Sequence, residues 1–317
     1  MLLSCKYPGN GAAVAQANNT DSPLDCLIVG GGPAGLTAAI YLGRFLRSAR
    51  VIDAGKSRAS LIPTSHNYPG FPEGISGNEL LTRLRLQACR YGATINQGIV
   101  EKLEHDAKDM FIAHYDGQTL AARTLLLATG SADIEPALPD FDNAIRRGFL
   151  RHCPICDGYE VQGQKVGIFG MGDNGVKEAL FIRRYTDDLT LMTLGNGDKL
   201  NEQQCKLLYE ANIKLIEDPI SEVQVSGKQI IGLKVKDGQA LLFDTLYSML
   251  GCMVLSGIAT QLGARCDESG NLIVSHNMET SVAGLFAAGD VVHGLSQICV
   301  AAAHAAIAAT AIHHRLS

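Results

Sequence analysis

The chain has no excess of positive charge: 27 lysines and arginines stand against 32 aspartates and glutamates in 317 residues, a formal net charge of −5. With its cations scattered rather than clustered, it offers no field for a polyanion, and nucleic acid is excluded as a partner. Long hydrophobic runs are missing too. The longest, around "LYSMLGCMVLSGIA" and "ICVAAAHAAIAATAI", fall short of the ~20 strongly apolar residues that a spanning helix needs. The opening "MLLSC" has neither the basic region nor the apolar stretch of ~7 to 15 residues that mark a secretory signal. Export is not expected, and the reading is a cytoplasmic protein. With 46% hydrophobic residues the chain can fill a core for each of two domains without disulfide staples. Its nine cysteines therefore point to a reducing compartment. Cys26, Cys252 and Cys299 lie in apolar contexts and read as small buried hydrophobes. Residues 1–23, with "GNGAAVAQANNTDSP", have no hydrophobic period and read as a disordered tail.

Against these absences one stretch stands out, "HCPICDG", His152 to Gly158. Two cysteines at this spacing form a small ring that opens and closes reversibly, a natural two-electron carrier. Half of a zinc site is the other reading, but no second CxxC or HxxxH follows at useful spacing. His152 either tunes the thiols or is a plain surface histidine.

The rest of the sequence writes a nucleotide fold twice. "DCLIVGGGPAGLTAAIYLGRF" opens with a short apolar strand and runs through Gly30, Gly32 and Gly35 into a helix. In that context the first glycine allows the tight turn, the second lets the backbone approach a pyrophosphate, and the third lets helix and strand pack closely. A second strand in "SARVIDAG" ends at Asp53, eighteen residues after Gly35, where a carboxylate can accept from an adenosine ribose. "TLLLATG" and "GLFAAGDV" read as buried strands running into turns, the latter placing Asp290 to bond a polyol or phosphate. The pattern restarts at "QKVGIFGMGDNGVKEALFIRRY", with Gly170, Gly172 and Gly175, so a second βαβ unit is inserted within the first. Its next strand, in "LTLMTLGNGDKL", ends in no acid for a ribose and no arginine pair for a 2′-phosphate. Arg183 and Arg184 precede that strand and are expected on the helix surface.

Taken in order, "GGGPAG", "HNYPG", "LLLATG", "CPICDG", "GMGDNG", "GLFAAGDV" and Gln297 resemble the low-molecular-weight thioredoxin reductases, from about Leu24 onward. The resemblance implies an α/β protein of two nucleotide-binding three-layer domains, ββα or Rossmann-like, the second inserted in the first. An FAD domain would span 24–136 and 244–317, and 137–243 would carry the redox disulfide and a second dinucleotide site, joined by a two-strand hinge. The implied FAD ligands are Gly30, Gly32, Pro33, Ala34, Gly35, Asp53, Asn67, Thr129, Gly130, Gly289, Asp290 and Gln297. The implied catalytic set is Cys156 toward the flavin, Cys153 toward the exchanging thiol, and Asp157 managing the thiol proton. The same resemblance implies a homodimer and a partner that is a dithiol or disulfide protein or a small-molecule thiol. His304, on the alanine-rich terminal helix, either reaches the cofactor edge or packs between helices. His313 and His314 are expected in solvent.

The chain also departs from that family. The NADPH members carry a histidine-arginine-arginine clamp after the second strand of the inserted domain, where this chain has Thr193, Leu194, Gly195 and Asn196. Losing it removes charge-assisted hydrogen bonds worth about 1.5 to 3 kcal/mol each, so NADPH is expected to bind poorly. The second glycine loop survives with Gly170, Gly172, Asp173 and Asn174, leaving NADH, a second FAD or no ligand as its occupant. A kept loop without a clamp resembles the diflavin-linked disulfide oxidoreductases, and "CPICDGYE" resembles FAD-dependent dithiol oxidases of the same fold. A ferredoxin- or NAD(P)H-dependent thioredoxin reductase and a flavin-binding redox sensor without turnover are the rival readings.

Overall fold

The computed structural model describes residues 23–317 apart from 137, 140, 196–198, 227–228 and 236–239. The expected tail and Asn196 lie outside the described residues. The chain opens with β1 (Leu24–Val29), α1 (Pro33–Arg44), β2 (Ala49–Asp53), α2 (Gly77–Arg90) and β3 (Thr94–Gln97). Then come β4 (Val100–His105), β5 (Phe111–Tyr115) and β6 (Gln118–Leu127). A second group holds β7 (Ser131–Asp133), α3 (Phe141–Arg146), β8 (Leu150–Arg151), α4 (Pro154–Asp157), β9 (Lys165–Gly170) and α5 (Gly172–Ile182). It continues with β10 (Asp188–Met192), α6 (Glu202–Glu210), β11 (Lys214–Ile216), β12 (Ile220–Ser226), β13 (Gln229–Val235), β14 (Ala240–Phe243) and β15 (Thr245–Met249). The chain closes with β16 (Cys252–Val254), α7 (Gly257–Thr260), β17 (Leu285–Ala287) and α8 (Ile298–Arg315).

The described residues form two compact units, one of those up to Ser60 with Ser76–Ala132 and Met253–Ser317, the other of those in Leu61–Ile75 and Asp133–Cys252. The first is built on a seven-stranded sheet in the order β3-β2-β1-β6-β5-β4, with β17 also paired to β6. β1 reads Cys-Leu-Ile-Val without alternation because both of its faces are covered, as in parallel sheets generally. Cys26 and Ile28 pack with α1 and α8 on one side. Leu27 and Val29 pack with Leu125, Leu127 and Leu285 on the other. The alanine run of α8 supplies Ala301, Ala305, Ala308 and Ala309 to the first of these layers, small side chains that let two helices lie close over the strands.

The second unit has its own parallel sheet, β11-β10-β9-β15-β8, and a separate antiparallel sheet, β12-β13-β14. Val166 and Ile168 of β9 pack with Val176, Ala179 and Ile182 of α5. Phe169 and Leu246 face Val223, Leu233 and Phe243. The layering is helix, parallel sheet, antiparallel sheet, the three-layer arrangement expected of a nucleotide-binding α/β fold. Strand pairing between β7 and β16 occurs on the two stretches where the chain crosses from one unit to the other. Segment 61–75, expected to run with 24–136, groups with the second unit, where Asn67 donates to the Ile155 carbonyl. Among the described residues no helix is long and apolar enough to cross a membrane.

Candidate active site

In the first unit the glycine loop is shaped by contacts that exclude side chains. Gly30 sits at φ +111°, and a Cβ there would stand 2.2 Å from the Ala128 carbonyl oxygen. Gly35 is crossed at closer range still: its Cβ would lie 1.9 Å from the Gly30 oxygen, so strand and helix meet where only hydrogen fits. Gly32 is the N-cap of α1 with no side-chain cap, and Pro33 opens the helix. The first amides of α1 are thus free of side-chain competition, the arrangement that receives an anionic phosphate at a helix start. Ala34 is buried behind them.

Asp53 closes β2 and is 7% exposed. Its Oδ1 accepts from the Gly55 amide at 2.9 Å and its Oδ2 from Arg85 Nη2 at 2.8 Å. Each carboxylate oxygen keeps a lone pair for a further donor. The carboxylate lies over Gly31, where a Cβ would stand 2.2 Å from Cγ. Arg85 belongs to α2, thirty-two residues away, and no local sequence signal marks it. Thr129 Oγ1 donates to the Leu255 carbonyl at 2.7 Å, and Gly130 follows at φ +70°. Gly289 turns the chain beside Ala34 and Ala301, bringing Asp290 to 3.5 Å from Arg58 Nη1. Gln297 is the N-cap residue of α8. His304, further along α8, is half-buried with a buried Nδ1 that has no hydrogen-bond partner. Its burial lowers its proton affinity against the pull of Asp290. Asn67 belongs to the second unit, where its Oδ1 accepts from Ser65 and its Nδ2 donates to the Ile155 carbonyl at 3.3 Å.

In the second unit Cys153 and Cys156 are joined as a disulfide with Cα atoms 5.3 Å apart. Cys153 is the N-cap of the single-turn α4, with Pro154 at its first position. The Cys156 amide donates to the Cys153 carbonyl at 3.0 Å, the turn that brings the sulfurs together. Asp157 follows directly, and Tyr247 Oη donates to its Oδ1 at 2.7 Å. Arg151 Nη1 stands 3.5 Å from its Oδ2. Burial raises the proton affinity of Asp157 above the ordinary carboxylate range, opposed by Arg151 and by the Tyr247 hydrogen bond. Tyr247 is fully buried, and its phenol is held strongly protonated by burial and by the Asp157 carboxylate. The His152 side chain is 10% exposed and 4.0 Å from Glu135, so it is not a plain surface histidine.

The second glycine loop repeats the packing of the first. A Cβ on Gly175 would stand 2.6 Å from the Gly170 carbonyl carbon, and Gly172 lies at φ +54°. Asn174 is exposed in the first turn of α5. Asp173 accepts from Gln204 Nε2 at 2.7 Å, and Gln204 is held by a capping box with Asn201. At the end of β10, Thr193 and Leu194 are buried, and Gly195 turns against Pro219. None of these three brings a cation. The next along the chain is exposed Lys199. Arg183 caps the far end of α5, where it bonds the Ala211 and Thr186 carbonyls and Asp187, and Arg184 is exposed. Both lie at the end of α5 that leads into the start of β10, away from the glycine loop.

Three expectations are corrected by burial. Cys26 is buried, its thiol pushed up to about 12, but Cys252 and Cys299 are exposed. Among the described residues β16 pairs with β7 alone, and position 299 is off the Ala301, Ala305, Ala308 and Ile312 face of α8. His314 is exposed, whereas His313 is half-buried, stacked on Phe45 at 4.6 Å and accepting from Arg47 Nε at 3.1 Å.

The geometry thus holds a glycine-lined helix start with no side-chain cap and a buried carboxylate in one unit, and a disulfide followed by a largely buried acid in the other. Residues 24–306 match the model of the family described as pyridine nucleotide-disulphide oxidoreductase. The thioredoxin reductase of Aquifex aeolicus is 31% identical, over 96% of this chain and 97% of its own length. Among solved structures, HlmI superposes with a TM-score of 0.86 at 27% identity, covering 93% of both chains. The thioredoxin reductase of Streptococcus pyogenes superposes with a TM-score of 0.84 at 27% identity, covering 92% of this chain and 98% of its own. By sequence and by fold, the chain belongs to the pyridine nucleotide-disulphide oxidoreductases, as a thioredoxin reductase-like flavoprotein disulfide oxidoreductase.

Proposed function

We propose that the chain exchanges electrons between FAD and the Cys153–Cys156 pair and that it uses NADPH poorly. The observation that carries this reading is the pairing of a CxxC disulfide beside a buried acid with a neighbouring nucleotide loop whose β10 ends on Thr193, Leu194 and Gly195 without a cation. FAD would be held in the first unit by Gly30, Gly32, Pro33, Ala34 and Gly35 at the phosphates, by Asp53 at the ribose, and by Thr129, Gly130, Gly289, Asp290 and Gln297 along the rest. The cradle fits such a group, because a side chain at Gly30, Gly31 or Gly35 would fill or deform it. Bound FAD supplies a two-electron acceptor or donor. Everything else falls to the chain's own residues: Cys153 meets the external thiol, Cys156 holds the second sulfur, and Asp157 moves a proton at the sulfur that leaves.

The second loop, with Gly170, Gly172, Asp173 and Asn174, would accept a second FAD rather than a 2′-phosphorylated nicotinamide. The external partner would be a dithiol or disulfide protein or a small thiol, and the working form a homodimer. The names of the relatives favour one other reading, a reductase of thioredoxin that draws on another donor. Anaerobic addition of NADPH tests the proposal. Slow, partial loss of flavin absorbance is expected, and rapid stoichiometric bleaching would overturn it. Extraction of the purified protein would give two FAD per chain, and one would refute the diflavin version.

A further inference from the structure

Asp157 is the acid next to the cysteine pair, and its surroundings come from far along the chain. Arg151 on β8 and Tyr247 on β15 are register partners of adjacent parallel strands, so both side chains leave the sheet on the same face. That face is closed by Val161, Val176 and Ala179, and a phenol on a fully buried ring needs a polar partner there. Its hydroxyl meets Asp157 twice, at the Oδ1 at 2.7 Å and at the carbonyl oxygen at 3.2 Å. Arg151 Nη1 also meets both groups, donating to the same carbonyl at 3.3 Å and standing 3.5 Å from Oδ2. Asp157 is therefore gripped at main chain and side chain by two residues of the sheet. The remaining charged group acting on it is Glu160 in the following turn, and the Tyr185 ring packs on neighbouring Gly158.

We propose that Tyr247 and Arg151 are positioning residues that hold the Asp157 carboxyl in place beside the cysteine pair and set the pH at which it gives up its proton. The inference rests on the proposed role of Asp157 in the exchange. There, a thiolate of an external dithiol attacks Cys153, the S–S bond breaks, and its electron pair goes to the Cys156 sulfur. The second external thiol then closes on the mixed disulfide and releases Cys153. The external dithiol loses two electrons and two protons, and the cysteine pair gains two of each. One of those protons comes from the Asp157 carboxyl, which is recharged from solvent. Tyr247 and Arg151 both favour the carboxylate, and burial favours the acid. Taking away either donor therefore leaves burial less opposed, and the carboxyl holds its proton to higher pH.

The test uses the purified holoprotein with its infrared protonated-carboxyl band, assigned to Asp157 by its disappearance in Asp157→Asn and titrated against pH. Tyr247→Phe keeps the ring and is expected to move the midpoint up by about one pH unit, a tenfold change in proton affinity for one hydrogen bond to a charged group. Arg151→Gln is expected to move it in the same direction, and Arg151→Lys to restore most of it. The pH profile of exchange with dithiothreitol should follow the same shifts. Unmoved midpoints in folded Tyr247→Phe and Arg151→Gln would overturn the inference, and Arg151→Gln decides alone if Tyr247→Phe does not fold. If Asp157→Asn leaves the exchange profile unchanged while the infrared midpoints move, the role of Asp157 in the exchange fails and the positioning of its carboxyl stands.

Discussion

Gly31→Ala is the cleanest perturbation of the first nucleotide site. Gly31 does not lie in the left-handed region, so alanine strains no backbone angle and its effect comes from the methyl alone. That methyl would stand 2.2 Å from Asp53 Cγ and 2.6 Å from Asp53 Cβ, far inside contact distance, and Asp53 must leave its place. In moving it gives up the Gly55 amide and Arg85. Overpacking of this kind costs about 1–3 kcal/mol, or roughly 2–4 °C in melting temperature per kcal/mol for a chain of this size. On the FAD placement proposed above, a displaced Asp53 would also lose a hydrogen bond to the ribose, worth about 1.5–3 kcal/mol for a charged acceptor. FAD should bind roughly 10- to 150-fold more weakly. The assay is fluorescence-monitored FAD release on dilution, alongside thermal melts with and without added FAD. Wild-type affinity with a lowered melting temperature would refute the placing of the ribose on Asp53.

Further outcomes follow from other contacts. Arg85→Gln should weaken FAD without lowering the affinity as far as Gly31→Ala, since Asp53 keeps the Gly55 amide, and equilibrium titration separates the two. Gly175→Ala drives a methyl into Gly170 and should destabilise the second unit by about 1–3 kcal/mol, read as a lowered thermal-unfolding midpoint. With its thiol pushed up to about 12, Cys26 is almost wholly protonated at pH 8. Native protein treated with iodoacetamide at that pH should be alkylated at exposed Cys252 and Cys299 and spared at Cys26, as peptide mass spectrometry would read.

What the sequence made legible was local. Strand, glycine turn, helix and terminal acid stand within one stretch from Leu24 to Asp53, and the second loop from Lys165 to Ile182 repeats them, so period and turn chemistry expose both. The CxxC is its own signal. What surrounds Asp157 was not legible, because Tyr247 is ninety residues away and is brought in only by the register of β15 against β8. Arg85 carries no signal for the same reason: it is thirty-two residues from Asp53, on an amphipathic helix where an arginine looks like any solvated cation. The exposure of Cys252 and Cys299 is not written in their apolar neighbours, which report burial only when the element is packed on the side in question. Likewise, nothing near His313 in the sequence reports the Phe45 ring and the Arg47 guanidinium that pack on it.

In the proposed function, electrons pass between flavin and external thiol through the Cys153–Cys156 pair. The direct measurement is anaerobic reduction by dithiothreitol of the wild type and of Cys156→Ser, each checked to carry the same FAD. Prompt loss of flavin absorbance in the wild type with none in Cys156→Ser is the predicted result. Equal bleaching in both proteins would contradict it.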